Sequence, residues 1–370
     1  MNVAPNPGGA NRDISLQALR GIAACCVLVY HAAHFTAIRG GAPWLEELFI
    51  SRLGFFGVLV FFVLSGFLME SAIRRYDAKT FALHRFARLY PTYWLICACF
   101  FLAKSVRAGA WVEIPWKALT LLPLGEMSRP LGVEWTLLYE VFFYMVCTLL
   151  CVWRRAHLPV MVVWLVVVAI AVFFYRQFGT TMQPTFAEIP FSAMNVAFIC
   201  GGLAGHLNRR LTRLDPAALW LGGLALIMLA KPVATGPDMF LTAPGIACVI
   251  LALVRGHRAD ARPPGLFMRA LFLLGECSYG LYLAHFLTVQ VVLQYVPADL
   301  WSHPGAVFVG VTGAALTVGL LAGIVDVMLY RSLKGWIDRS ARQHVLAGDA
   351  ANALQATRVD VPSAEERKPE

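Results

Sequence analysis

Charge is scarce in this chain. Only 14% of its 370 residues are Asp, Glu, Lys or Arg, while 59% are hydrophobic. An ordinary soluble domain carries roughly 25% charged and 45–50% apolar residues, so the shortage excludes a soluble globular fold. Other absences narrow the chemistry. There is no G-x-x-x-x-G-K-[ST] and no G-x-S-x-G, so neither a phosphate-cradling loop nor a serine-hydrolase nucleophile elbow is present. None of the nine cysteines form a C-x-x-C pair, and no Cys/His set has zinc spacing. All nine fall inside apolar stretches and read as helix-packing residues, with no metal expected. No solenoid repeat and no second soluble domain are visible. The opening "MNVAPNPGGANR" is polar and Gly/Pro-rich, and the apolar run after it is too long for the core of a cleavable signal.

What the chain has instead is long apolar runs. A bilayer-crossing helix needs about 20 apolar residues. By that rule about ten spans are expected, near 14–36, 54–73, 86–104, 135–153, 158–176, 190–207, 217–231, 239–255, 270–295 and 304–331. The fold class expected is therefore all-α, a polytopic membrane helical bundle. Residues 1–13 form a polar N-terminal segment, 14–342 the transmembrane domain and 343–370 a disordered cytoplasmic tail. The net charge of +9 follows the same topology. With both termini cytoplasmic, the inner loops and tail hold Arg74, Arg75, Lys79, Arg154, Arg155, Arg209, Arg210, Arg213, Arg255, Arg258, Arg262, Arg269, Arg331 and Lys334. The outer loops hold far fewer basic residues, and "VPADLWSHPG" holds none. Basic residues on the cytoplasmic side are the rule for membrane proteins. The charge faces the inner leaflet, and a nucleic-acid partner is not expected.

Ionisable groups inside spans are functional-site hypotheses by default. The first span contains "LRGIAACCVLVYH", with Arg20 and His31 eleven residues apart. That is about 16 Å along a helix and almost a whole number of turns, so both lie on one face. The bland alternative is that Arg20 snorkels to the headgroups. In "LHRFARLYPTYW", Arg85 and Arg88 share a face at i and i+3. They suit a phosphate-bearing cosubstrate or simply mark the cytoplasmic side. Pro91 is expected in the first turns of that helix, where a missing N–H matters least. In "GVEWTLLYEVFFYM", Glu140 must be protonated, paired or facing a wet cavity, and a histidine partner would satisfy it. Glu134 reads as an interfacial acid. In "GECSYGLYLAHF", Ser278, Tyr282 and His285 fall on one face. Ser65 and Tyr139 join them as candidate cavity-lining residues. Small and hydroxylated residues also serve helix packing.

The blocks "LRGIAACCVLVYH", "FFVLSGFLM", "RFARLYPTYW" with "WTLLYEVFFY", and "CSYGLYLAHF" together resemble the membrane acyltransferase-3 family. Within it the chain looks most like bacterial exopolysaccharide-production acyltransferases that lack an appended hydrolase-like domain. The resemblance runs from about Ile14 to Tyr330. It implies transfer of an acyl group, acetyl as the best guess, from cytoplasmic acyl-CoA to a hydroxyl of a carbohydrate or lipid-linked glycan. It also implies residence in the bacterial inner membrane and no bound cofactor. It marks Arg20, His31, Arg85 and Arg88 as functional. On this reading Arg20, Arg85 and Arg88 hold the donor. His31 acts as general base or itself accepts the acyl group, and Glu140 orients it. Buried Arg, His and Glu also suit a transporter of a polysaccharide intermediate or acyl donor. A non-catalytic partner of a polysaccharide assembly complex is the third reading.

Overall fold

The computed structural model describes residues 7–49, 51–126, 129–175, 182–210, 214–230, 236–256 and 265–359. They form thirteen α-helices with short 3-10 turns and one π-helical turn, Ala171–Tyr175, between them. In chain order these are α1 (Pro7–Gly40), α2 (Pro43–Leu48), α3 (Ser51–Arg75), α4 (Ala78–Ala108), α5 (Trp116–Leu119), α6 (Trp135–Val152) and α7 (His157–Ile170). Then follow α8 (Met194–Arg210), α9 (Pro216–Leu229), α10 (Met239–Gly256), α11 (Leu266–Glu276), α12 (Ser278–Gln294) and α13 (Pro304–Val359). Among the described residues no strand forms, only one isolated bridge between Leu124 and Thr185.

Each expected span corresponds to a helix, but not all are long enough to cross a bilayer. Seven helices meet that requirement by length and apolar composition, or eight if α11 and α12 count as one span. The expected sixth and seventh spans are α8 and α9, of 17 and 14 residues, below the roughly 20 that a straight crossing needs. The expected ninth span is bent by 71° at Cys277. Gly275, just before the bend, presses against the Gln17 backbone so closely that a side chain there would collide with it.

Helix ends follow local chemistry. Asp77 caps α4 by accepting a hydrogen bond from the Thr80 N–H at 3.0 Å. Hydrogen bonds from the Thr80 side chain and backbone hold this carboxyl below the usual carboxylate range. Gly109 ends the helix at φ +63°, the left-handed cap that favours glycine. Because α4 starts at Ala78, Pro91 lies well inside it, not in its first turns, and interrupts the hydrogen-bond ladder there. At the other end of the chain, α13 continues to Val359. Helix thus replaces the expected disorder from residue 343, consistent with an Ala-rich stretch of good helix formers. Residues 360–370 lie outside the described residues.

Close backbone approach sets the frame of the bundle. Gly66 on α3 meets the Phe198 carbonyl of α8, and Gly201 on α8 meets the Val63 carbonyl of α3. A methyl group at either would overlap its neighbour's backbone. Small-residue contacts of this kind let membrane helices pack without side-chain interleaving. Arg154 donates to the Arg74 and Tyr76 carbonyls, and Arg255 to Asn208. The basic helix ends of α3, α8 and α10, and Arg154 just past α6, are thereby tied to their neighbours at one face of the bundle, called the basic face below.

Candidate functional site

A cavity of about 510 Å³ opens near the basic face. The first helix contributes Gln17 and Arg20; α3 contributes Phe61, Ser65 and Met69; α4 contributes Arg85 and Arg88. Thr136, Glu140 and Tyr144 enter from α6, Glu276 from α11, Ser278 and Tyr282 from α12, and Tyr330, Arg331 and Lys334 from α13. The basic side chains Arg20, Arg85, Arg88, Arg331 and Lys334 outnumber the carboxylates Glu140 and Glu276. Low-dielectric walls strengthen such a field, so the cavity suits an anionic ligand with an apolar portion.

The three inner arginines are held differently. Arg88 donates from Nη1 to Asp326 Oδ2 at 2.8 Å, and Thr92 Oγ1 donates to Asp326 Oδ1 at 2.8 Å. The rings of Tyr279 and Tyr330 flank the Arg88 guanidinium, each centroid 5.2 Å away. Arg85 lies 5.5 Å from the Phe81 centroid and 5.7 Å from that of Tyr144. Its Nε is buried without a hydrogen-bond partner. Arg20 lies in the same field, close enough to Arg88, Glu140 and Asp326 for electrostatic interaction, with no ion pair inside 4.0 Å to a described residue. Thus Arg20 and Arg85 keep donors for a ligand, while Arg88 is already paired.

On the side away from the basic face the cavity is lined by Val58, Phe61, Thr136 and Tyr282. Thr136 Oγ1 and Tyr282 Oη are 2.8 Å apart. The Tyr282 ring lies 5.6 Å from that of His285. Behind it, His285 Nε2 and His31 Nδ1 form a hydrogen bond of 2.9 Å. The His285 Nδ1 is 3.2 Å from the Leu281 carbonyl. A carbonyl can only accept, so His285 carries its proton on Nδ1 and offers Nε2 as an acceptor. His31 must then donate from Nδ1, which leaves its Nε2 lone pair free. His285 is buried and His31 only partly so. The Phe286 ring packs edge-on against His31 with centroids 5.1 Å apart.

The structure gathers most of the expected residues and redistributes the rest. Arg20, Ser65, Arg85, Arg88, Glu140, Ser278 and Tyr282 line the cavity. His31 and His285 lie beyond its end and pair with each other. The expected pairing of Glu140 with His31 does not form. Glu140 accepts a hydrogen bond from Tyr144, one turn along α6, and faces the arginines. Tyr139 does not line the cavity. Its neighbour Glu140 faces the cavity, and one helical step turns Tyr139 about 100° away, where it bonds Ser192 at 3.1 Å. Glu134 is buried rather than interfacial and accepts from the Leu131 N–H.

Asp326 escaped the sequence reading, although a lone carboxylate in "GLLAGIVDVMLY" gives the same signal as Glu140. Asp326 is fully buried, and its two oxygens are taken by α4. Asp326→Ala is expected to leave the largely buried Arg88 charge uncompensated and to destabilise the fold by about 3–5 kcal/mol. The thermal unfolding midpoint of purified protein should fall accordingly; an unchanged midpoint contradicts the pairing.

Glu70, His157 and His206 come together from α3, α7 and α8, their ligating atoms within 4.8 Å of one another. Sequence spacing could not show this trio. The Arg74 guanidinium already fills the position of a cation there, 2.7 Å from Glu70 Oε1 and 3.3 Å from His206 Nδ1. The cluster lies outside the cavity lining.

Comparison with known proteins adds the following. A family model described as an acyltransferase domain matches residues 13–324. The chain is 30% identical over 330 residues to the exopolysaccharide production protein ExoZ of Rhizobium meliloti, covering 82% of this chain and 96% of that one. It is 29% identical over 355 residues to the acyltransferase MdmB of Streptomyces mycarofaciens, covering 84% and 88%. Nodulation protein 10 of Rhizobium leguminosarum bv. viciae is 26% identical over 323 residues, covering 74% and 82%. No solved structure matches the chain.

Proposed function

The chain belongs to the acyltransferase-domain family, whose model covers residues 13–324 of it, and from that premise we propose that it moves an acetyl group from cytoplasmic acyl-CoA to a carbohydrate hydroxyl. The observation that carries the reading is the hydrogen-bonded series Leu281 carbonyl–His285–His31. It presents one bare imidazole nitrogen just beyond the end of a cationic cavity. In our reading the basic face is cytoplasmic, both termini lie on that side, and ten helices make up the membrane domain of an inner-membrane protein. The likeness to the exopolysaccharide production protein supports an exopolysaccharide as acceptor, with an O-antigen or lipid-linked glycan as acceptors of the same chemical class.

Arg20 and Arg85 receive the donor's diphosphate with their unpaired donors. Arg88, fixed by Asp326, supplies charge. Glu140, bonded to Tyr144, balances the cluster and keeps the guanidiniums oriented. The pantetheine arm runs up the apolar part of the cavity toward Thr136 and Tyr282. From Arg20 to His31 the helix rises about 16 Å, a distance that suits an extended arm. The acceptor approaches from the opposite face to reach the partly exposed His31.

An alcohol is a poor nucleophile until a base removes its proton. In the transfer, the acceptor hydroxyl gives its proton to His31 Nε2 as its oxygen bonds to the thioester carbonyl carbon. The C–S bond then breaks. The departing thiolate takes the proton back from the imidazolium, leaving an ester and the free CoA thiol. His285 holds the His31 ring in its reactive tautomer, the part an orienting third group plays in a nucleophile–base arrangement.

The test is transfer by the purified chain in proteoliposomes. Acetyl-CoA is supplied on one side, and glycans from the producing cell are analysed by mass spectrometry. Acetyl ester appearing on a glycan with stoichiometric release of CoA thiol is expected. Glycan flux with no thiol release overturns the reading in favour of transport.

A further inference from the structure

The cavity holds two cationic groups at different depths. Arg20 and Arg88, the latter paired with Asp326, form the inner one, and Arg85 lies one turn nearer the start of α4. The outer one is on α13, where Arg331 and Lys334 line the mouth. From Asp326, level with the inner group, to Lys334 is eight residues, or about 12 Å along the helix. Both outer side chains are exposed. Their states differ. Arg331 donates from Nη2 to Glu276 Oε2 at 2.5 Å, and Gln17 Nε2 donates to the other Glu276 oxygen at 3.3 Å. Both oxygens of Glu276 are therefore engaged. The nearest carboxylate along α13, Asp338, is 3.1 Å from His84 Nε2. Lys334 is left as a cavity-lining cation with no carboxylate inside 4.0 Å among the described residues.

A nucleotide thioester of the CoA type carries its phosphates in two places, a diphosphate on one side of a ribose and a monophosphate on the other. Two cationic groups separated along one cavity match that division. We propose that Lys334, with Arg331 beside it, binds the ribose 3′-phosphate of the donor and makes the enzyme select 3′-phosphorylated CoA over its dephosphorylated form. The assignment rests on the acyl-CoA reading above. It is not part of the family match, since Lys334 lies ten residues past residue 324, where that match ends. A lysine meets a phosphate dianion as a compact point charge. The competing source of the same chemistry is a lipid phosphate, which a lysine at a membrane boundary can reach by snorkelling.

The experiment is isothermal titration of the purified full chain with CoA and with 3′-dephospho-CoA. The wild type is expected to bind CoA roughly tenfold more tightly than the dephospho form, as befits one charge-assisted contact. Lys334→Ala should lose about that factor for CoA alone and so bind the two probes equally. Lys334→Arg should restore the preference. Equal binding of the two probes by the wild type overturns the proposal while leaving the CoA reading standing. A preference that survives in Lys334→Ala assigns the lysine to lipid phosphate and also overturns it. If the wild type binds neither probe, the donor reading fails with it.

Discussion

His31→Ala is expected to lower glycan acylation by about 10²–10⁴-fold, the range of a positioned general base, with protein abundance and membrane insertion unchanged. The size follows from the free lone pair. His31 is the group whose Nε2 stays bare once the Leu281 carbonyl and His285 have fixed the two tautomers. The tolerance of the fold follows from position. His31 is partly exposed and lies outside the cavity lining, so truncation removes ring contacts with Phe35 and Phe286 but empties no tight core site. His31→Gln sharpens the test. Its amide N–H can still donate to His285, yet it has no basic nitrogen, so it should be as inactive as alanine. Donor binding should be nearly unaffected in both variants, because the cation groups lie at the other end of the cavity. Normal acylation by either variant would remove the base from the mechanism.

How far the sequence disclosed this arrangement depends on the kind of contact. Helical period along one span was readable: Arg20 lines the cavity, and His31, eleven residues further on the same helix, sits just beyond its inner end. The hydrophobic runs gave the helical segments, since burial of apolar runs in lipid is a one-dimensional property. Contacts between spans were not readable. Glu140 looked like the partner of a histidine because both are polar groups in lipid. Its nearest acceptor-seeking neighbour proved to be Tyr144 on its own helix, and the histidine found another histidine 254 residues away. The Arg85 and Arg88 pair reads as one motif, yet Asp326 from α13 separates their roles. Span lengths misled where packing replaced lipid: α8 is buried among its neighbours from Met194 to His206, apart from the half-buried Leu203, and is apolar there for that reason.

Replacing His285 with leucine is expected to cut kcat by roughly 10²–10³-fold while KM for the donor stays near its wild-type value. His285 is a positioning residue: it reaches the reaction only through its hydrogen bond to His31, and it does not line the cavity. Without it, the His31 ring can rotate and can place its proton on either nitrogen. Part of the population then presents N–H where a lone pair is required, and the imidazolium formed during transfer loses its acceptor. Losing the orienting member of a nucleophile–base pair is known to cost orders of magnitude even when the base itself survives. A purely structural role would behave differently, lowering protein yield and thermal stability in step with activity. His285→Gln separates the two. Its side-chain oxygen can accept from His31 Nδ1 as the imidazole Nε2 does, so it should recover a substantial part of the kcat that leucine loses. The expected order of kcat is wild type, then glutamine, then leucine, at similar unfolding midpoints. Equal activity of leucine and wild type, or a loss seen only in KM, would mean that His31 is set by some other contact.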